Sequence, residues 1–301
     1  MHSAWRLDHG LAASAGTLRR ALCRAVSRGV VTSPRQPTTI EGRSSWVAAS
    51  LTLAILSFSY GAPLIVVVGL KPIAASLDAD RSVVALAASL VWLGTGLGGI
   101  LMGRIADRIG MRQVAIFGAA MTALGLAVSA IGQTWALVLG SAVLIGLLGN
   151  SAHFPPLVIY VSRWFDRRRG TALALISSGQ YIAGVLWPTV FERSMNAFGW
   201  QATMVGFAVV IAATIVPLAL LLRPPPAPIR TEVSAAHLRR RAQALRLQPN
   251  LVQALLCAAS FLCCVPMAMP AGHLVAFCSD LGIPAARGAA MLSVLLGCAF
   301  V

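Results

Sequence analysis

Two sets of residues in this sequence have the types and spacing to do chemistry. The first is the run GRIADRIGMRQ at residues 103–113, where Arg104, Asp107, Arg108 and Arg112 fall between Gly103 and the residues after Gly110. Asp107 can accept hydrogen bonds from an arginine or a helix N-terminus. The two glycines suit a tight turn or a close backbone approach. The second set is polar and uncharged, apart from two histidines. Tyr60, with Ser57 and Ser59, lies in one apolar stretch, Asn150 and His153 in a second, Gln180 and Tyr181 in a third, and His273 in a fourth. His153 and His273 titrate near neutral pH when exposed, so each is a candidate proton carrier or anion partner. The alternative for a lone histidine, and for Asn150 or Gln180, is a hydrogen bond between helices. Tyr60, Tyr181 and Trp187 are candidate cavity lining, with interfacial anchoring as the alternative for Trp187.

The elements that must hold these residues are membrane spans. Hydrophobic residues make up 57% of the chain, charged ones 11%, and the mean hydropathy is +0.79. A soluble domain is about 45–50% apolar and about 25% charged. Windows of about 20 apolar residues predict spans at Trp46–Leu70, Val83–Met102, Val114–Ile131, Trp135–Val161, Thr171–Phe191 and Ala202–Leu222. A seventh runs from Leu251 to about Phe277, and an eighth starts near Arg287 and is cut off at Val301. This predicts an all-α polytopic membrane protein. Residues 1–45 form an arm, 46–222 a six-helix bundle, 223–250 a linker, and 251–301 the start of a second bundle. Prolines near 155 and at 266 and 270 predict broken helices whose freed carbonyls line a cavity.

The net charge of +15 is distributed by side. Twenty of the 24 basic residues fall in the arm, the turns at 103–113 and 163–169, and the segment 223–250. Lys71, Arg81, Arg193 and Arg287 alone fall on the other side. This bias predicts a cytoplasmic N-terminus and explains the charge without nucleic acid. Arg163 and Arg167–Arg169 read as anchors of that side, with Asp166 as a carboxylate partner.

Within the arm, Leu18, Leu22, Ala25 and Val26 share one helical face and Arg20, Arg24 and Arg28 another. That pattern fits an amphipathic helix on an anionic leaflet or a transit peptide. A disordered arm, or a stretch upstream of the true start, is preferred. Gly94 and Gly98, and Gly99 and Gly103, are small residues four apart, which let helices approach closely. Six cysteines lack metal-ligand spacing, and the four at 257, 263, 264 and 278 read as apolar packing residues. A nucleotide-binding Gly-Lys-Ser/Thr loop, H-E-x-x-H and a nucleophile elbow are all missing, so an enzyme is not expected. No metal or cofactor is expected either.

Gly103, Asp107, Arg108, Gly110 and Arg112 fit G-x-x-x-D-R-x-G-x-R between spans two and three. This resembles the loop signature of the major facilitator superfamily, with Met111 where the family usually has Arg or Lys. SRWFDRRRGTALALISSGQYIAG at 162–184, SFSYGAP with GLKPI, and HLVAFCSDLGIPAARGAAMLSVL resemble its monocarboxylate-porter and oxalate/formate-antiporter branch. The resemblance covers about residues 50–301. It departs at Leu64, where some of these porters have Lys, and near Ala299, where they have Asp.

The resemblance implies a major facilitator fold with a complete first half and the start of the second. It implies a monomeric secondary transporter that works by alternating access, with Gly103, Asp107, Arg108, Gly110 and Arg112 as gating motif. The expected substrate is a small organic anion such as a mono- or dicarboxylate, coupled to a proton or exchanged for a counter-anion. A drug or metabolite exporter and a non-transporting fragment are the alternatives. A multi-pass protein of a bacterial inner membrane is expected.

Overall fold

The computed structural model describes residues 42–165, 167–224 and 249–298. The arm, Asp166, most of the linker and Ala299 lie outside the described residues. Within the described residues the chain is helical. A backbone in hydrocarbon must satisfy its own hydrogen bonds, and a helix does so within one segment.

The elements are α1 (Arg43–Ser59), α2 (Gly61–Val68), α3 (Leu70–Ser76), α4 (Arg81–Ile109), α5 (Met111–Ser129), α6 (Thr134–Leu139), a π-helical segment (Gly140–Asn150), α7 (Ser151–Ser162), α8 (Arg169–Phe198), α9 (Trp200–Leu220), α10 (Pro249–Asp280) and α11 (Ala285–Cys298). Among the described residues six helices are long and apolar enough to cross a membrane: Arg43–Val68, Arg81–Ile109, Met111–Ser129, Thr134–Ser162, Arg169–Phe198 and Trp200–Leu220. They correspond to the six predicted spans.

Two expectations change. Span two does not end at Met102. It stays helical through Ile109, and only Gly110 turns the chain. Gly110 takes φ +94°, a conformation that strains any residue with a Cβ. Gly103 is therefore helical, and a Cβ there would meet nothing within 4 Å. The close approach expected at Gly103 is not made. The prolines also fail to break their helices: α7 carries Pro155 and Pro156 inside it, and α10 runs unbroken through Pro266 and Pro270. Pro155 and Pro156 lie in the second turn of α7, which follows directly on the π-helical segment where the hydrogen-bond register changes.

Close packing centres on span four. A Cβ on Gly94 would lie 2.6 Å from the Ala142 carbonyl oxygen, and one on Gly146 2.6 Å from that of Val91. A Cβ on Gly98 would run into the Leu147 carbonyl and Ser151. Span three meets the same helix at Gly118 and Gly125, facing Ala152 and Ile145. Small residues thus bring spans two, three and four to backbone contact, as membrane packing favours. Ile55, Leu56, Ile65, Leu126, Ile145, Leu157, Ile176 and Met204 fill the space between the spans. Trp92, Leu93, Leu97 and Ile100 of α4 are exposed and form an apolar stripe along one side of the helix. On α10, Cys257, Cys263 and Cys264 are exposed, not packed, and only Cys278 is buried.

Candidate functional site

The uncharged polar candidates divide into a sealed group and an open one. Asn150 sits at the end of the π-helical segment and His153 in the first turn of α7, both wholly buried. Ser59 Oγ of α1 lies 3.1 Å from Asn150 Oδ1 and 3.0 Å from His153 Nδ1. Asn150 Nδ2 donates to Thr95 Oγ1 of α4 at 3.2 Å, and Thr95 donates on to the Val91 carbonyl at 2.7 Å. His153 Nε2 faces the Ala115 carbonyl of α5 at 3.1 Å.

A carbonyl only accepts, so Nε2 carries the proton, and in the neutral ring Nδ1 accepts. Ser59 has one proton and serves either Nδ1 or Asn150 Oδ1. The network ties spans one to four together. In this conformation Asn150 and His153 are turned to partners within the protein and closed to solvent. Buried polar groups without such partners are costly, and here each other's side chains fill that need. Thr95 was not among the sequence candidates. A lone threonine in a glycine-rich span carries no signal until its neighbours are known.

Tyr60 is also buried, between Trp92 and Phe154, with ring centroids 5.8 and 5.7 Å away. Gln180 and Tyr181 are half-buried on α8. They lie one turn before Gly184, where α8 meets Leu296 of α11. Thr189 Oγ1 and Ser293 Oγ, 3.4 Å apart, continue that contact. Gln180 and Tyr181 therefore stand beside the junction between the first six spans and the eighth. Trp187 is no interfacial anchor. Its Nε1 donates to the Ser57 carbonyl at 2.8 Å, and its ring stacks on Phe191 at 5.3 Å.

Charged candidates occupy the two rims. On the arginine-rich rim, Arg163 Nη2 donates to Asp107 Oδ1 at 2.6 Å. The pair borders a cavity of about 160 Å³ that Gly103, Gly110, Met111 and Tyr160 also line. Arg108 and Arg112 are exposed and bridge to no carboxylate among the described residues. Asp166, expected to pair with one of Arg163, Arg167, Arg168 and Arg169, lies outside the described residues; Arg163 pairs with Asp107, 56 residues away.

On the opposite rim, Asp280 at the end of α10 takes Lys71 Nζ at 2.7 Å. It also takes Arg81 Nη1 at 3.0 and 3.1 Å on its two oxygens. These two hydrogen-bonded cations, Lys71 first, hold its carboxyl below the usual carboxylate range. His273 is exposed and lines a cavity of about 320 Å³ with Leu70, Arg81, Phe277 and Asp280. It sits at this rim, away from Gln180. Among the described residues no group of three or more His, Cys, Asp or Glu could hold a metal ion.

The sequence profile of the Major Facilitator Superfamily matches residues 47–301. The chain belongs to the major facilitator superfamily. Monocarboxylate transporter 11 of Mus musculus is 28% identical over 220 residues, 70% of this chain and 49% of that protein. MFS-type transporter 1 of an Ophiocordyceps species is 30% identical over 133 residues, 44% of this chain and 30% of that one. Multidrug resistance protein MdtL of Escherichia coli is 30% identical over 154 residues, 50% and 39% of the two chains. The matched stretches thus span at most about half the length of these relatives. The family is one of multi-pass transporters and not of enzymes, and this major facilitator chain has its all-α fold.

Proposed function

We propose that this chain is a secondary active transporter, or the first part of one, that moves a small organic anion such as a mono- or dicarboxylate by alternating access. One observation carries the reading. The first six spans meet α10 and α11 through the Asp280 contacts at one rim and Gly184, Thr189 and Ser293 at mid-membrane. Exposed ion pairs and a contact between small side chains can be remade as one half rocks against the other, as alternating access requires.

In this reading residues 46–222 and 251–301 belong to two rocking halves joined by 223–250. The arginine-rich rim faces the cytoplasm by the positive-inside rule. Gly103, Asp107, Arg108, Gly110 and Arg112 gate that side, with Asp107–Arg163 holding the turn that meets the second half. Gln180 and Tyr181 beside the junction are the substrate contacts, and Tyr60 backs them. Similarity to a monocarboxylate transporter over most of the chain supports the anion. A bacterial inner membrane and a monomer remain part of the proposal, as does coupling to a proton or a counter-anion.

Labelled oxalate and lactate uptake into proteoliposomes tests this. Saturable uptake is expected, falling about 10-fold or more in Gln180→Ala through loss of a hydrogen bond to a charged group. Uptake that is unchanged in Gln180→Ala removes the site assignment. A second reading, export of an uncharged or amphipathic metabolite, is favoured by the aromatic group Phe58, Trp187, Phe191 and Phe207 in the interior. Some relatives are named for multidrug resistance and for efflux of fujikurins. Expulsion of a fluorescent amphipath with no carboxylate uptake selects that reading.

A further inference from the structure

The arginine-rich rim carries a second cavity that no part of the transport reading uses. It measures about 400 Å³ and lies where α1, α7 and α9 end. Arg43, Ser44, Tyr160, Trp164 and Arg223 form its polar end, and Val47, Leu51 and Leu221 its apolar end. Tyr160 donates its hydroxyl to the Arg223 carbonyl at 2.7 Å, which fixes the end of span six over span four. Arg43 and Arg223 are exposed, and among the described residues neither pairs with a carboxylate. Trp164 is 8% exposed, and its Nε1 is buried beside the Tyr160 hydroxyl. Arg43, Val47 and Leu51 also line an adjoining groove of about 680 Å³ that runs down α1 past Trp46 and Ser50 to Ala54.

We propose that this cavity holds the phosphodiester headgroup of an anionic phospholipid, with an acyl chain along the α1 groove. The two guanidiniums supply charge and forked donors that match phosphate oxygens. The cations stand at the helix ends, at headgroup depth, and the groove turns apolar toward the membrane interior, as a lipid does. A free phosphate would use the cations and leave the groove unused, so the lipid is the better match. The site is independent of the substrate, and a lipid here would brace spans one, four and six beside Tyr160, which also lines the Asp107 cavity.

Native mass spectrometry of the full chain in detergent, titrated with phosphatidylglycerol or phosphatidylcholine, tests it. Two arginines near the surface predict a preference of roughly 10- to 30-fold for phosphatidylglycerol. Arg43→Gln with Arg223→Gln should reduce that to within about 3-fold, and Arg193→Gln on the opposite rim should leave it unchanged. Equal retention of the two lipids overturns the proposal. So does a loss in Arg193→Gln as large as in the pair. Displacement of the lipid by millimolar inorganic phosphate assigns the site to a soluble anion and also overturns it. A readout that needs no arginine variant is quenching by phosphatidylglycerol brominated along its chains. Wild type should be quenched more than Trp164→Phe, and equal quenching counts against the site.

Discussion

Spans two, three and four and the junction with α10 are held by opposite means. Inside the bundle, Gly94, Gly98, Gly118 and Gly146 bring backbones together, and Ser59, Thr95, Asn150 and His153 close a buried network. At the junction, the exposed carboxylate of Asp280 reaches two cations, Arg81 being 58% exposed. Glycine contacts cannot slide without steric clash, and a sealed polar network cannot open without stranding its members. Exposed ion pairs contribute little and exchange readily with water. The contrast describes a body that moves as a unit and a contact weak enough to be remade.

Gly98→Leu attacks the rigid side and should have the largest effect. Its side chain meets the Leu147 carbonyl and Ser151, which cannot retreat without shifting span four. Overpacking of this kind costs about 1–3 kcal/mol, occasionally more. The chain should lose monodispersity after extraction from the membrane. Gly103→Leu, in open space on the same helix, should extract like wild type. Equal behaviour of the two would mean that glycine contacts do not hold the bundle.

His153→Ala comes next. It removes the buried contacts of the ring with Ser59 and with the Ala115 carbonyl, and leaves Ser59 with Asn150 as its remaining partner. Hydrogen bonds between membrane helices average about 0.6 kcal/mol and reach about 1.7, so about 1–2 kcal/mol of destabilisation is expected. A denaturant titration in mixed micelles measures it. Transport lost with stability untouched would return His153 to the substrate path.

The pattern of legibility follows the same division. Continuous apolar runs and one-sided arginines reveal spans and sidedness because hydrocarbon imposes both requirements on every segment. The Gly94/Gly98 spacing likewise signals a close approach, since only small residues permit one. Which side of a helix faces a cavity leaves no such mark. Asn150 and His153 read the same whether they bind a ligand or another helix, and Gln180 differs from them only in what α11 leaves open. Asp280 was passed over because its partners are 209 and 199 residues away, with nothing local to join them. Prolines at 155 and 266 suggested breaks, but a helix can absorb a missing N–H where its register changes or a neighbour supports it.

At the junction, Asp280→Asn should raise maleimide labelling of a cysteine placed at Ala85, in the rim cavity, by about 2- to 5-fold, the range an exposed pair can shift. Acid should do the same. Lys71 and Arg81 lower the Asp280 carboxyl pKa, so the paired form holds fewer protons than the free one. Its contribution is complete above the usual carboxylate range and fades as pH falls through the lowered value. Opening should therefore be flat through neutrality and appear only below about pH 4. An opening centred near pH 6 would assign it to a group other than Asp280.

Asp107–Arg163 should show the smallest effect on stability, because the two side chains are 57% and 42% exposed and both belong to the first six spans. A double-mutant cycle with Asp107→Asn and Arg163→Gln should give a coupling of about 0–1 kcal/mol. Transport should nevertheless slow, because the pair orients the turn that meets the second half in one of the two states, which biases their populations even when it adds little to folding. A coupling above about 2 kcal/mol would lie beyond what an exposed pair supplies. The arginine-rich rim would then be a lock of the same kind as the bundle interior, and the distinction between a rigid body and its remade contacts would have to be drawn elsewhere in the chain.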